Sequence, residues 1–383
     1  MTQLTTKLIA KHQHSHARIT QVTTAHGMFE TPTFMPVGTR AGVNCMDVDQ
    51  VKATGSEIIL GGNTYHMLVA PGMDVIRQAG GMHKFMAWDG PMLTDSGGFQ
   101  IFSLSKNEKI CTIDEEGAHF KLPDSEQIIH MTPEVSLATQ KTIGADIIMA
   151  FDQCTPDVDD KALVQKIMER THRWLDQSIA YHQKYPNSDY GYRQALFGIV
   201  QGGIFPELRR QCAEHLVSLP LDGIAIGGET IGFDMAKTVE VVDWIRDILP
   251  ENKTRYTMGV GLSPQDLCDV VASGIDIFDC VAPTRNARHG ALYSGDFVIK
   301  NNWLHFDSEY ERQRIQIKRS QFATDQNPIM KTCKCYTCEN YTRADLHYLF
   351  KQKSILFANL ASIHNIFVMQ DGCRRMKQLI ADK

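Results

Sequence analysis

The sequence predicts an α/β chain built as a (β/α)8 TIM barrel. Short β-branched apolar runs recur at residues 57–60, 91–94, 146–150, 196–200, 223–226, 255–258 and 275–278. They are continuously apolar rather than alternating, the pattern of parallel strands covered on both faces. Helical stretches at residues 160–185, 206–218, 235–248 and 264–273 separate the later runs. Strand and helix alternating over roughly 250 residues mark a barrel. A doubly wound open sheet is the runner-up, but no glycine-rich phosphate-binding turn comes after the first run.

The residues just beyond each strand support the same reading. Thr94-Asp95-Ser96-Gly97-Gly98-Phe99-Gln100 comes after the second run and Phe151-Asp152-Gln153-Cys154 after the third. Gln201-Gly202-Gly203, Gly227-Gly228-Glu229 and Asp279-Cys280 stand at the ends of later ones. Polar groups and glycines gather where a barrel carries its active site. From about Asn301 the alternation breaks: residues 309–320 read as a charged helical stretch, and a cysteine cluster comes next. Residues 363–381 then supply a last amphipathic helix. The expected division is a catalytic barrel over 1–300, a metal-stapled insertion over 301–362 and a terminal helix over 363–383 that packs on the barrel.

Composition narrows the function. The chain has 383 residues, 43% hydrophobic and 22% charged, with net charge -5. A globally basic nucleic-acid binder does not look like this, so a polyanion must be met by a local patch. Seven of the ten cysteines are scattered without pairing pattern, as in a reduced, cytoplasmic protein. The first residues, Met1-Thr2-Gln3-Leu4-Thr5, lack a basic region leading into an apolar stretch, and no apolar run reaches membrane-spanning length. A soluble cytoplasmic protein without membrane contact is expected. His12-Gln13-His14-Ser15-His16 reads as a polar, mobile terminus, since nothing nearby completes a ligand set.

Two constellations carry chemistry. Cys333, Cys335 and Cys338 place three thiols in six residues, and His364 supplies a fourth donor. A Cys3His set is the closed tetrahedral type that Zn²⁺ takes in structural sites, leaving no open position for catalysis. Chemistry is therefore sought at Asp95 and Asp279. Two carboxylates at barrel strand ends suit displacement at an anomeric carbon, one attacking and the other moving a proton. A lone aspartate there would more often cap a helix. The glycines beside Asp95 allow close backbone approach to a ligand and favour function.

At these motifs the chain resembles a known family. The segments that carry the likeness are Thr94 to Gln100, Met149-Ala150-Phe151-Asp152-Gln153-Cys154-Thr155-Pro156, Phe278-Asp279-Cys280-Val281-Ala282-Pro283-Thr284-Arg285-Asn286-Ala287-Arg288 and the Cys-x-Cys-x-x-Cys…His set. Together they resemble the queuine/archaeosine tRNA-ribosyltransferase family in its bacterial form, the tRNA-guanine transglycosylases, from about Ala17 to the terminal helix. The resemblance implies a TIM barrel with a zinc subdomain. It implies replacement of the wobble guanine in tRNA anticodon loops by a 7-deazaguanine base, through a covalent ribosyl-aspartate intermediate. The family's nucleophile falls on Asp279 and its general acid/base on Asp95. Asp152, acceptor-only when ionised, would meet guanine's N1–H and 2-amino donors. Gln201 and the Gly228 N–H would donate to O6, with Phe99 and Met258 sandwiching the ring. Arg285 and Arg288 would contact neighbouring nucleotides. A homodimer is implied as well.

The chain departs from the family in one loop. Gly227-Gly228-Glu229-Thr230-Ile231-Gly232-Phe233 stands where the bacterial text is Gly-Gly-Leu-Ala-Val-Gly-Glu. Glu229 would pair with the cation of 7-aminomethyl-7-deazaguanine or hydrogen-bond the diol of queuine. Gly261-Leu262-Ser263-Pro264 replaces a Gly-Lys-Pro segment, and Gln153 stands where Glu is common. Two other classes of function compete. A non-catalytic tRNA-binding partner subunit is disfavoured by Asp95, Asp152, Gln201 and Asp279 standing together. A zinc-dependent hydrolase needs ligands at strand ends, and His66 and His83 lack the paired spacing.

Overall fold

Eight parallel strands close into a barrel: β1 (Thr33–Gly38), β2 (Ile59–Gly61), β3 (Met92–Leu93), β4 (Ile147–Met149), β5 (Ala195–Val200), β6 (Gly223–Ile226), β7 (Thr254–Thr257) and β8 (Ile277–Cys280). Each lies beside its neighbours in sequence, and β8 returns to β1 with Asp279 opposite Met35. The computed structural model describes residues 4–122 and 127–382, so Met1, Thr2 and Gln3 of the N-terminal stretch lie outside the described residues.

Seven of these strands fall on the expected runs. β1 does not, because Pro36 interrupts the β-branched pattern that marks a strand. Side chains alternate along the strands. Met35, Val37, Met149, Phe197, Ile199, Tyr256 and Ile277 fill the interior, while Phe34, Ile148, Leu196, Ile224 and Phe278 face the helices. Since Ile277 points inward, Asp279 does too, one layer nearer the C-terminal rim. The helices Lys161–Lys184, Pro206–Val217, Met235–Ile245 and Pro264–Ala272 fall within the expected stretches. Their starts are set locally: the Asp160 carboxylate accepts from the Leu163 amide at 3.0 Å, and Ser263 with Asp266 forms a capping box.

Three expectations change. The histidine stretch is not a loose terminus. Strand Thr5–Lys11 pairs with Arg18–Thr24, and the His12 ring lies 5.0 Å from that of Trp303. Arg18 anchors this sheet under the barrel by donating twice to the buried Asp276, at 2.9 and 2.6 Å. Residues 309–320 are not a helix: a 3-10 turn, Glu311–Gln313, leads into a strand, Arg314–Gln316, paired with Ala291–Tyr293. Ile315 and Ile317 are both buried; spaced by two, they share one face only in extended chain. The terminal helix begins at Ile355, after Ser354, and runs to Ala381, so His364 sits inside it.

Candidate active site

The C-terminal ends of the strands open into one cavity of about 840 Å³, lined among others by Asp95, Phe99, Asp152, Gly228, Met258 and Asp279. Asp279 is 9% exposed. Its Oδ1 accepts from the Tyr256 hydroxyl at 2.6 Å and from the Gly259 amide at 3.4 Å. Burial pushes its carboxyl up to about 6, against the opposing pull of the Tyr256 hydrogen bond. Asp95 comes two residues after the end of β3. Its Oδ1 accepts from the Thr64 amide at 2.8 Å and its Oδ2 from the Asn63 side chain, both just beyond β2. Burial raises Asp95 further, to about 7, and the Asp279 carboxylate adds to the shift.

Asp152 forms the third carboxylate of the cavity. Ser96 Oγ donates to its Oδ1 at 2.8 Å, and Gln201 Nε2 donates to its Oδ2 at 2.8 Å. Gln201 Oε1 accepts from the Thr155 amide at 3.1 Å, so the Gln201 amide is committed at both ends beneath Asp152. Burial pushes Asp152 up to about 6, opposed by the Ser96 and Gln201 hydrogen bonds. Gly98 makes this packing possible: a Cβ there would meet Asp152 Oδ1 at 2.4 Å. Gly228 has φ +122, and a Cβ on it would meet Nη2 of the buried Arg209 at 2.9 Å. Arg209 in turn donates to the carbonyls of Val200, Gly203 and Gly227, holding the two turns that frame the pocket.

The cavity thus brings together Asp95, Phe99, Asp152, Gly228, Met258, Asp279 and Arg285 of the expected residues. Phe99 is 47% exposed at the mouth, while Met258 is partly buried against the interior cluster. Gln201 lies one layer beneath. Arg288 is outside the lining, and its Nη1 is buried without a hydrogen-bond partner among the described residues. Glu229 is also outside the lining: its carboxylate pairs with Lys106 at 2.7 Å and accepts from the Asp157 amide at 3.0 Å. Sequence reasoning misses Tyr256, Asn63, Thr64, Arg312 and Arg314. Asn63 and Thr64 obey the same strand-end rule as Asp95, which could have found them. Arg312 and Arg314 are hidden in the stretch whose charges suggest a helix, yet both line the cavity.

Away from the cavity, Cys333, Cys335, Cys338 and His364 cluster, their ligand atoms all within 4.8 Å of one another. His364 Nδ1 lies 3.8, 3.4 and 3.3 Å from the three sulfurs in that order. A tetrahedral ion with thiolate and imidazole ligands spaces its donors about 3.5–3.8 Å apart, so the set fits a metal ion. His364 Nε2 donates to the Tyr293 carbonyl at 2.8 Å, which leaves the Nδ1 lone pair facing the sulfurs. Cys338 is held well below the ordinary thiol range by hydrogen bonds from Cys333 and Cys335, whereas Cys333 is pushed above it by its contacts with Cys335 and Cys338. Two other groups are poorer candidates, His26 with His83 and Asp146, and His119 with His130 and Asp114. Their imidazoles stack at 3.7 and 4.0 Å with interplanar angles of 20° and 11°, so their lone pairs run side by side rather than converge.

A sequence model described as queuine tRNA-ribosyltransferase matches residues 13–383. Among curated proteins, one from Caldanaerobacter subterraneus is 43% identical over 374 residues, covering 98% of this chain and 92% of the relative. One from Enterococcus faecalis is 42% identical over 376 residues, covering 98% and 92%. One from Gloeobacter violaceus is 44% identical over 360 residues, covering 93% and 88%. All three carry the name queuine tRNA-ribosyltransferase.

Proposed function

We propose a reaction for this chain, which belongs to the queuine tRNA-ribosyltransferase family: exchange of the wobble guanine of a tRNA anticodon for a 7-deazaguanine base, by double displacement. The observation that carries the reading is the convergence of Asp95, Asp152 and Asp279 on one cavity, each with its carboxyl raised toward neutrality by burial. The guanine is splayed from the anticodon loop into the pocket. Asp152 accepts from its N1–H and 2-amino groups, the Gly228 amide serves O6, Gln201 orients Asp152 from beneath rather than reaching O6, and Phe99 and Met258 cover the ring faces.

Asp279 Oδ attacks the ribose anomeric carbon, the bond to N9 breaks, and its electron pair leaves with guanine. Asp95 donates the proton that neutralises the departing base. In the second half the incoming base loses its N9 proton to Asp95 and displaces Asp279, so two inversions give retention. Tyr256 and Gly259 hold the attacking carboxylate in place by hydrogen bonds to its Oδ1. Arg285, with Arg312 and Arg314 of the same lining, meets the phosphates of the flanking nucleotides. Cys333, Cys335, Cys338 and His364 hold Zn²⁺, whose role is to fix the insertion on the terminal helix. The reading has the protein act on tRNA in the cytoplasm, as the homodimer that the family resemblance implies. Among the described residues no helix is long and apolar enough to cross a membrane.

The test is release of labelled guanine from the wobble position with 7-aminomethyl-7-deazaguanine and queuine offered side by side. Release identifies the accepted base. No release with either base overturns the reading in favour of a tRNA-binding partner subunit.

Formation of the covalent complex is expected to show a narrow bell in pH. Asp279 and Asp152 must be ionised, and both titrate near 6, so the rate falls below pH 6 with a slope approaching two. Asp95 must carry its proton, so the rate falls above about 7. Rapid-quench trapping of the complex between pH 5 and 9 reads both limbs, and a flat profile contradicts the assignment. Tyr256→Phe removes the hydrogen bond that lowers Asp279. Its acid limb should therefore move to higher pH and its rate fall about tenfold, with KM for tRNA unchanged.

A further inference from the structure

Glu229 sits at the outer end of a continuous hydrogen-bonded path into the pocket. Its backbone amide donates to the Thr155 carbonyl at 2.9 Å. The Thr155 amide donates to Gln201 Oε1 at 3.1 Å, and Gln201 Nε2 donates to Asp152 Oδ2 at 2.8 Å. At its own end the Glu229 carboxylate takes the Asp157 amide at 3.0 Å on one oxygen and Lys106 Nζ at 2.7 Å on the other. Lys106 caps the C-terminus of the helix Gly98–Ser105, whose first residue packs against Asp152. Its ammonium also lies 4.8 Å from the centre of the Phe102 ring. The ion pair therefore joins the outer ends of the segments beyond β3 and β6, the Asp157 and Glu229 amides tie in the loop beyond β4, and all three segments line the pocket through Ser96, Asp152 and Gly228.

We propose that Lys106 and Glu229 form a latch that holds these loops in the shape that accepts a purine base, so that Glu229 is a positioning residue acting on the base without touching it. The reading rests on the base pocket proposed above. The Lys106 and Glu229 side chains are 59% and 31% exposed, so the ion pair is open to solvent. A latch of this kind weakens with ionic strength and tunes base affinity rather than the chemical step.

Calorimetric titration of the intact chain with guanine reads the pocket without requiring turnover. Lys106→Glu and Glu229→Lys each place like charges face to face, and each is expected to weaken guanine binding about three- to tenfold. The Lys106→Glu, Glu229→Lys double variant reverses the pair and should bind more tightly than either single variant, as a pairwise coupling requires. Glu229→Gln keeps an acceptor for the Asp157 amide but loses the ion pair. Its guanine Kd should no longer respond to salt between about 50 and 500 mM, whereas the unaltered chain's Kd rises about threefold. Single variants that bind guanine as the unaltered chain does, or a double variant no better than the weaker single one, overturn the latch alone. An unaltered chain that does not bind guanine overturns the pocket assignment beneath it.

Discussion

Replacing Asp279 with asparagine is expected to lower guanine exchange by at least about 10⁴-fold, because it removes the atom that would bond to the anomeric carbon. The variant should still fold. Asparagine Oδ1 can accept from the Tyr256 hydroxyl and the Gly259 amide as the carboxylate does. The sign of the stability change separates catalytic loss from unfolding. The folded-state carboxyl is raised above its unfolded value, so its contribution to stability is present at low pH and is lost as pH rises through about 6. At pH 8 the ionised group opposes folding, and its neutral amide removes that penalty, up to about 3 kcal/mol. Thermal unfolding of the variant at pH 8 should come a few degrees later than that of the unaltered chain, and at pH 4 the two should coincide. Trapping on denaturing gels should show no tRNA–enzyme adduct. An adduct in Asp279→Asn, or exchange within tenfold of the unaltered chain, means another nucleophile.

Removing the metal is the second large effect, and it should act on the fold rather than on the chemistry. The four ligands join the 333–338 turn to the middle of the helix Ile355–Ala381, which lies against β1, the helix Ala282–Arg288 beyond β8, and the helix Pro264–Ala272. A closed Cys3His set contributes its binding free energy to folding. Elemental analysis should find one zinc per chain. His364→Ala should lose it and unfold about 10 °C earlier, with hydrogen exchange rising first in the insertion and along the terminal helix. His364 also bonds the Tyr293 carbonyl, so Cys335→Ser serves as the second variant: it removes one thiolate ligand while leaving that hydrogen bond. If both variants keep zinc and the original stability, the site is not a structural metal centre.

The barrel was legible because its strands are sheathed on both faces and must be continuously apolar, a signal carried by adjacent residues. Asp95 and Asp279 were legible for a related reason, being polar residues directly after, or at the end of, such runs. β1 was missed because Pro36 breaks that local signal, although its neighbours in the barrel supply the pairing. Residues 309–320 were misread because their charges hide a two-residue period in Ile315 and Ile317 that only a packed partner strand makes decisive.

By itself, then, the sequence determined the alternation of strand and helix, the strand-end carboxylates and the Cys3His set. These depend on neighbours along the chain or on donor chemistry too distinctive to mistake. The tertiary structure decided which group each carboxylate meets. Tyr256 reaches Asp279 across 23 residues of sequence, Gln201 reaches Asp152 across 49, and Lys106 turns Glu229 away from the cavity across 123. Titration of Asp279 and Asp152 near neutrality came from burial, against the pull of the Tyr256 and Gln201 hydrogen bonds. Desolvation and hydrogen bonding are sums over everything that closes around a group, and that enclosure exists only once the barrel has closed.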